Sequence, residues 1–334
     1  MSTPLSIFSY VRNEAATLAK SLASVRPLAD ELIVVDTGST DQTLEIARRY
    51  ADRVVEWAWR DDFGAAARYA ESLCTHRFVC KWDGDWWLEE GVELLQQTKK
   101  FGFKNEAVYQ FRWINEYDPE TLIPTVFNTH QFIYDREAYQ WVSPIHTHLV
   151  PRTLPEVRRV LVEEAVVYHY KDPKHKHYRY DQTSRLIAAH LPRTTGAERV
   201  RLLKYGVLNA FFQADYDLAG NYLASLQAEP SSSSPELRGW LLEQQALYFF
   251  STGRYYELQS LIATAGTTHP ALDLFAADLE FVQGNYLQAA AKYRVFLEAY
   301  PYTGQEINVN FKRYRDHPRH VLQLLESHFN SNNF

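Results

Sequence analysis

The sequence predicts an α/β fold built on a Rossmann-like mixed sheet, followed by an all-α helical-repeat domain. Short apolar runs alternate with amphipathic runs between residues 5 and 82, the signature of a parallel sheet with right-handed crossovers. Apolar runs end at Asp36 and, with Trp82, just before Asp83-Gly84-Asp85, so that carboxylates gather at strand ends. From about Tyr178 onward only helical periodicity is present. The expected domains are residues 1–190 and residues 191–334.

The elements follow in order. Leu5 to Val11 reads as the first strand, and Asn13 to Val25 as a helix carrying Ala16, Leu18, Leu22 and Val25 on one face. Glu31 to Asp36 is apolar except at its ends, as a strand covered on both faces should be. Ser39 with Gln42 forms a capping-box signature for a helix running to Tyr50. Arg53 to Trp57, Gly64 to Leu73 and Arg77 to Trp82 read as strand, small-residue helix and strand, and Glu90 to Lys100 as one further helix. The runs 107–115, 131–134 and 165–170 read as strands among prolines, which predicts an antiparallel part to the sheet.

In the C-terminal part, Thr195 with Glu198 is another capping box, and Pro235 after the serine run 231–234 marks a helix start. Three weakly similar units begin at Asp215-Tyr216, Gly253-Arg254-Tyr255 and Gly284-Asn285-Tyr286. Their small residues allow helices to approach and their aromatics fill the gaps, an array of helical hairpins resembling tetratricopeptide repeats but irregular in spacing.

Composition narrows the function classes. The 334 residues are 46% hydrophobic and 23% charged, ordinary for a globular chain, whereas 14% aromatic is high. A net charge of −6, with no basic patch of the kind a duplex binder carries, argues against nucleic acid as partner. Cys74 and Cys80 provide neither a disulfide framework nor zinc spacing and read as core thiols. Early charges at Arg12 and Glu14 do not fit a signal peptide, and no apolar run reaches membrane-span length, so the expected location is cytoplasmic.

The chemistry-bearing residues are acidic. Asp83 and Asp85 flank a glycine and offer hard oxygen ligands suited to Mg2+ or Mn2+, with an acidic turn as the alternative. Asp36 can accept hydrogen bonds from a base or ribose, or cap a turn. Arg68 can reach a nucleotide, or lie solvated on its helix.

Val11-Arg12-Asn13-Glu14, the Val34–Asp41 motif, Asp62-Phe63 with Ala66-Ala67-Arg68, and Asp83-Gly84-Asp85 together resemble a family-2 inverting glycosyltransferase of the GT-A fold. Order and spacing match over about the first 90 residues and more loosely to about residue 190. The resemblance implies a nucleotide-sugar donor, a UDP-sugar in most members. It places Asn13, Glu14, Asp36, Ser39, Arg68, Asp83 and Trp86 around that donor, with Asp36 on the base. It implies Mg2+ or Mn2+ held by Asp83 and Asp85, with His169 of the Val167–Tyr170 strand completing the shell or binding a phosphate. Partners would be the donor and a glycan, protein or other hydroxyl acceptor, with a homodimer contact through the helical domain.

Two departures stand out. Trp86-Trp87 follows the acidic triplet where another acidic residue is usual, and these indoles either stack on a sugar or pack in the core. In Trp141–His148, similar to a family segment ending in His-Glu, Thr147 takes the Glu position. His146 matches the family His and is expected in the catalytic site, and the base candidates are His148, Asp135 and Glu137. Lys171, Lys174, His175, Lys176 and His177 form a basic stretch that reads as a phosphate-facing lid or a solvated loop. The alternative function is a catalytically inactive GT-A domain beside a peptide-binding or dimerising scaffold. A nucleotidyltransferase ranks last, because Ser9 to Glu14 contains no Gly-rich, basic phosphate loop.

Overall fold

The computed structural model describes residues 2–117, 124–170, 176–265, 269–300 and 311–331. The chain divides into two compact units, Met1–Arg179 and Tyr180–Phe334. The division falls before the expected residue 190. The helix Lys176–His190 crosses it, and within the second unit Asn209 Nδ2 donates to the Tyr180 carbonyl at 3.1 Å and to Ser184 Oγ at 2.7 Å.

The first unit contains β1 (Leu5–Val11), α1 (Leu18–Val25), β2 (Glu31–Asp36), α2 (Thr43–Tyr50), β3 (Arg53–Glu56), α3 (Phe63–Ser72), β4 (Phe78–Lys81), β5 (Trp86–Glu90), α4 (Val92–Phe101), β6 (Ala107–Tyr117), β7 (Pro124–Asp135), β8 (Tyr139–Val142), β9 (His148–Pro151) and β10 (Arg158–His169). Eight strands form one sheet in the order β3-β2-β1-β4-β7-β6-β10-β5, and β8 with β9 forms a separate hairpin. The first four of that order run parallel, whereas β7 is antiparallel to both β4 and β6. This is the Rossmann-like mixed sheet that the alternating runs predict.

Burial explains the arrangement. Leu32 through Val35 are fully buried, as a central parallel strand requires. One sheet face packs Leu18, Leu22 and Val25 of α1 and Leu95 of α4 around Leu5, Ile7 and Val34. The other packs Ala67 and Ala70 of α3 with Tyr139, Trp141 and Leu149 of the hairpin against Phe8, Ile33 and Val35. Cys74 and Cys80 are buried free thiols, and burial pushes the Cys74 thiol up to about 12. With helices on both faces, the chain reverses its winding direction between β1 and β4, where a doubly wound sheet opens a crevice at its carboxyl edge.

Several elements differ from expectation. β5 has no counterpart among the elements expected from the sequence, yet it pairs antiparallel with β10 as an edge strand, Trp86 opposite His169. The hairpin β8–β9 is hidden in a proline-rich stretch. The Ser39–Gln42 capping box does not form, because Ser39 Oγ accepts from Asn13 N at 3.0 Å and α2 starts only at Thr43. Asp62, in contrast, caps α3 by accepting from Ala65 N at 2.7 Å. β10 carries a wide bulge: Val162 faces Phe111 of β6 while Val166 already faces Arg112.

The second unit contains α6 (Gly196–Phe212), α7 (Tyr216–Gln227), α8 (Pro235–Ser251), α9 (Tyr255–Thr264), α10 (Pro270–Val282), α11 (Tyr286–Ala299) and α12 (Phe311–Ser331), with α5 (Lys176–His190) crossing into it. The three predicted units share one turn. A positive-φ residue (Ala214 at 57°, Gly253 at 70°, Gly284 at 81°) precedes Asp215, Arg254 or Asn285, and a tyrosine then opens the next helix. A Cβ on Gly206 or Gly220 would lie 2.8 Å from the Tyr222 ring or the Tyr248 hydroxyl, the expected small-against-aromatic packing. Thr195 sits at the start of α6, but its side chain does not cap; Glu198 instead pairs with Arg201. Among the described residues no helix is long and apolar enough to cross a membrane.

Candidate active site

The carboxyl ends of β1, β2 and β4 carry loops that are bonded into one another. Asn13, in the left-handed region at φ 56°, donates its N–H to Ser39 Oγ, and its Oδ1 accepts from Thr40 N at 2.8 Å. Glu14 N donates to Thr43 Oγ1 at 2.7 Å, and Ala15 N to Asp41 Oδ2 at 3.2 Å. Asn13, Glu14 and Ser39 therefore join the two loops.

Asp36 closes β2 and is 3% exposed. Its Oδ1 accepts from Gly38 N and Ser39 N, both at 2.8 Å, an Asx turn that fixes the carboxylate. Its Oδ2 is buried and lacks a hydrogen-bond partner among the described residues. A buried carboxylate oxygen without a donor is costly unless something supplies one. The turn reading and the ligand reading are thus compatible, one oxygen to each.

The acidic triplet is clamped from several sides. Ser21 Oγ of α1 donates to the Asp83 carbonyl at 2.9 Å and accepts from Trp82 Nε1 at 3.1 Å. A Cβ on Gly84 would lie 3.0 Å from Val11 and 3.1 Å from Glu14, so glycine lets this turn press against the first loop. Asp83 Oδ1 is ion-paired to Lys81 Nζ, whose side chain is 7% exposed. Lys81 also lies 5.1 Å from the Tyr10 and Trp86 rings and 5.9 Å from Trp141. Burial opposes its charge, but Asp83 and Tyr10 outweigh it and raise its pKa, so the ammonium stays protonated.

Asp85 faces the other way. Its Oδ2 lies 3.1 Å from His169 Nε2, and its carbonyl accepts from Tyr170 N at 2.9 Å. The His169 ring stacks on Trp113 at 5.2 Å between centroids. Trp86, Trp113, His130 and Phe132 form an aromatic floor beneath. Burial, then the charges of Lys81 and His169, lower the His130 pKa to about 3. Trp86 is itself only 3% exposed, so it packs in the core and does not present a face for stacking on a sugar. Its side chain joins the core cluster on the face covered by α1 and α4, which corrects the donor-binding expectation. Trp87 stacks on Tyr168 at 5.6 Å.

The β8–β9 loop lies over the start of α3. Phe63 N donates to the Pro144 carbonyl at 2.9 Å, and Arg68 Nη1 to the Trp141 carbonyl at 3.1 Å. Arg68 is half-exposed and 3.8 Å from Asp62, so part of its capacity is spent on holding the loop. Ser143 and His146 both have positive φ, 73° and 48°, strained conformations for non-glycine residues. The bend leaves His146 exposed and makes His148 the first residue of β9.

Asp135 and Glu137 are elsewhere. Asp135 pairs with Phe78, the first residue of β4, at the sheet edge opposite Asp83. It is fully buried, accepts from Arg77 Nε at 3.0 Å and Nη2 at 2.7 Å, and takes Glu106 N at 2.9 Å and Glu137 N at 3.1 Å. Glu137 lines a cavity there with Arg77, Arg136 and Arg152. Asp135 is therefore a structural ion-pair partner of Arg77, remote from the acidic triplet, and Glu137 is equally remote. Of the basic stretch, Lys171, Lys174 and His175 lie outside the described residues, and Lys176 and His177 begin α5.

Sequence reasoning passed over Tyr10, Lys81, Trp113 and His130. Lys81 did leave a signal, a lysine ending the buried strand Phe78–Lys81 directly before the acidic triplet. Among the described residues no three His, Cys, Asp or Glu side chains gather as a metal cage. A divalent cation would draw on Asp85 and His169 and take its other ligands from phosphate oxygens and water, the usual habit of Mg2+. The donor set fits such an ion, and the Asp36 oxygen fits an N–H of a base.

Residues 6–161 match the sequence model of Glycosyl transferase family 2. An uncharacterized glycosyltransferase of Rickettsia felis is 27% identical over 180 residues, covering 50% of this chain and 62% of that protein. Its counterpart in Rickettsia conorii is 27% identical over 184 residues, covering 51% and 63%, so the chain spans less than two thirds of these relatives. A TPR repeat-containing protein of Synechococcus elongatus is 41% identical over 81 residues, 24% of this chain and 20% of that protein. Among solved structures, a Pyrobaculum calidifontis mannosyltransferase in complex with GDP-Man and Mn2+ has TM-score 0.41 and 15% identity over 76% of this chain and 86% of its own. Mycobacterium tuberculosis glucosyl-3-phosphoglycerate synthase in complex with Mn2+, UDP and glucosyl-3-phosphoglycerate has TM-score 0.38 and 17% identity over 56% of this chain and 79% of its own.

Proposed function

We propose, from the premise that the first unit of this chain belongs to glycosyl transferase family 2, that it moves a sugar from a nucleoside diphosphate donor to an acceptor hydroxyl with inversion. The observation that supports this is the convergence of Asp36, the Lys81–Asp83 pair and the Asp85–His169 pair at one carboxyl edge of the sheet.

Each residue then has a task. Asp36 Oδ2 accepts from the imide N–H of a uracil, which makes the donor a UDP-sugar. Asp83 meets the ribose hydroxyls, and the Arg68 guanidinium flanks the nucleotide. Asp85 and His169 would hold Mg2+ or Mn2+ at the diphosphate site. A bound cation of that kind offsets the charge that develops on the leaving diphosphate. Inversion needs a proton acceptor on the opposite face of the sugar. Asp135 and Glu137 are remote, and of the two histidines on the bent loop His146 is the exposed one, so it is assigned that role. Its imidazole takes the acceptor proton as the hydroxyl oxygen attacks the anomeric carbon and the bond to the diphosphate breaks.

The test is a panel of nucleotide sugars incubated with the chain and Mn2+, with released nucleoside diphosphate measured. UDP release that EDTA abolishes, and that Asp85→Asn reduces by at least 100-fold, is the expected result. Undiminished turnover in EDTA or in Asp85→Asn removes the metal assignment. His146→Ala should lose transfer while keeping UDP affinity.

A further inference from the structure

We propose that Lys81 is a positioning residue that decides which aspartate of the triplet takes the metal. This rests on the transferase reading above and concerns how that site divides its labour. Two carboxylates one residue apart would ordinarily compete for one divalent ion. Here they are not equivalent. Asp83 is engaged by a buried ammonium, whereas Asp85 points to His169.

The geometry around Lys81 makes that division rigid. The lysine side chain, 7% exposed, ends among the Tyr10, Trp86 and Trp141 rings, the rings of Tyr10 and Trp86 each 5.1 Å away. A buried cation needs an anion, and among the described residues the anion it meets is Asp83. The Asp83 main chain is separately fixed by Ser21. A carboxylate held at both its main chain and its Oδ1 cannot turn toward a cation at Asp85 without leaving Lys81 unpaired in a low-polarity cage, which is strongly unfavourable. Lys81 thus withholds Asp83 from the metal and leaves its outer oxygen for the hydroxyl groups of the donor. The metal site accordingly carries one carboxylate and one imidazole. Such a site binds the bare cation weakly and gains its remaining ligands only when the diphosphate arrives.

The inference predicts that deleting a positive charge through Lys81→Met tightens Mn2+ binding in the absence of nucleotide, because Asp83 becomes a second carboxylate ligand. Titration by electron paramagnetic resonance of free Mn2+ should show about tenfold higher affinity in Lys81→Met than in wild type. The donor KM should rise at the same time, because the freed Asp83 turns away from the ribose. A merely structural lysine would weaken both together. Lys81→Arg, with the charge kept, should behave as wild type, and circular dichroism establishes that each variant is folded.

The double variant Asp83→Asn/Lys81→Met separates this mechanism from a simple field effect. If Lys81 acts through Asp83, the gain vanishes against Asp83→Asn alone. A gain that persists, or no gain in folded Lys81→Met, overturns the inference. In that case the parent reading still stands if Asp85→Asn abolishes Mn2+ binding. Wild-type protein that binds no Mn2+ with or without UDP defeats both.

Discussion

Asp36→Asn is the substitution that isolates ligand binding from folding at this site. The two side-chain oxygens of Asp36 have different surroundings: Oδ1 accepts two backbone N–H bonds at 2.8 Å, and Oδ2 is buried without a donor. Asparagine can keep the first set, with its carbonyl oxygen in the place of Oδ1. Its amide nitrogen then stands where Oδ2 was, and a donor faces the uracil N–H that the carboxylate would accept. A hydrogen bond to a charged group contributes about 1.5–3 kcal/mol, which is roughly a 10- to 150-fold loss of UDP affinity. Asp36→Ala forfeits the turn as well and should also lower stability by about 1–3 kcal/mol. The assay is isothermal titration of UDP in the presence of Mn2+, beside a urea unfolding curve for each variant. Asp36→Asn that unfolds like wild type and binds UDP equally well would refute the assignment of Oδ2 to the base.

Three further outcomes are expected. Asp135→Asn should cost about 2–3 kcal/mol in urea unfolding, since it breaks a buried charge pair whose arginine is partly solvated, yet leave the specific activity of the folded fraction unchanged; a fall in kcat would return Asp135 to the site. His130 keeps a pKa of about 3 in the fold against about 6.5 unfolded, so the unfolded chain binds more protons between these values and stability falls as pH drops below 6.5. The contribution lost by pH 5 is at most about 2 kcal/mol, and His130→Phe should flatten that limb when urea midpoints at pH 7 and pH 5 are compared. Gly64→Ala would put a methyl 2.4 Å from the Ser143 carbonyl, which should cost about 1–3 kcal/mol and displace the loop bearing His146; kcat should fall while UDP affinity holds, and equal loss of both would contradict that placement.

The parallel half of the sheet was legible because its strands announce themselves. Leu32 to Val35 is buried on both faces and therefore uniformly apolar, a pattern that does not depend on distant partners. The edge strand β5 was not legible, because Trp86 and Trp87 acquire strand geometry only by pairing with β10, some eighty positions later in the chain. The same distance effect misled the site. Asp36 and Asp85 were identified from local motifs, and both end at the carboxyl edge. Asp135 looked catalytic because it was a spare carboxylate near the right segment, but the antiparallel direction of β7 carries it to the far edge. Trp86 could have faced either a ligand or the core, and only its neighbours Trp113 and Phe132 decide for the core. Capping failed at Ser39 for a related reason: a long-range donor, Asn13 N, took the oxygen that a local rule assigns to the helix.

The wide bulge in β10 separates that strand into two stretches with different alignment to β6. His169 takes its phase from the later stretch, where Tyr168 faces Trp87 and His169 faces Trp86. Residues 158–162 keep a different phase, because the bulge absorbs the offset between them. A residue gained or lost in the earlier stretch can be taken up by the bulge, whereas one gained or lost after Val166 would turn the imidazole to the wrong side of the sheet. Length variation along this lineage is therefore expected to collect before the bulge, and the last four positions of the strand should hold a constant count.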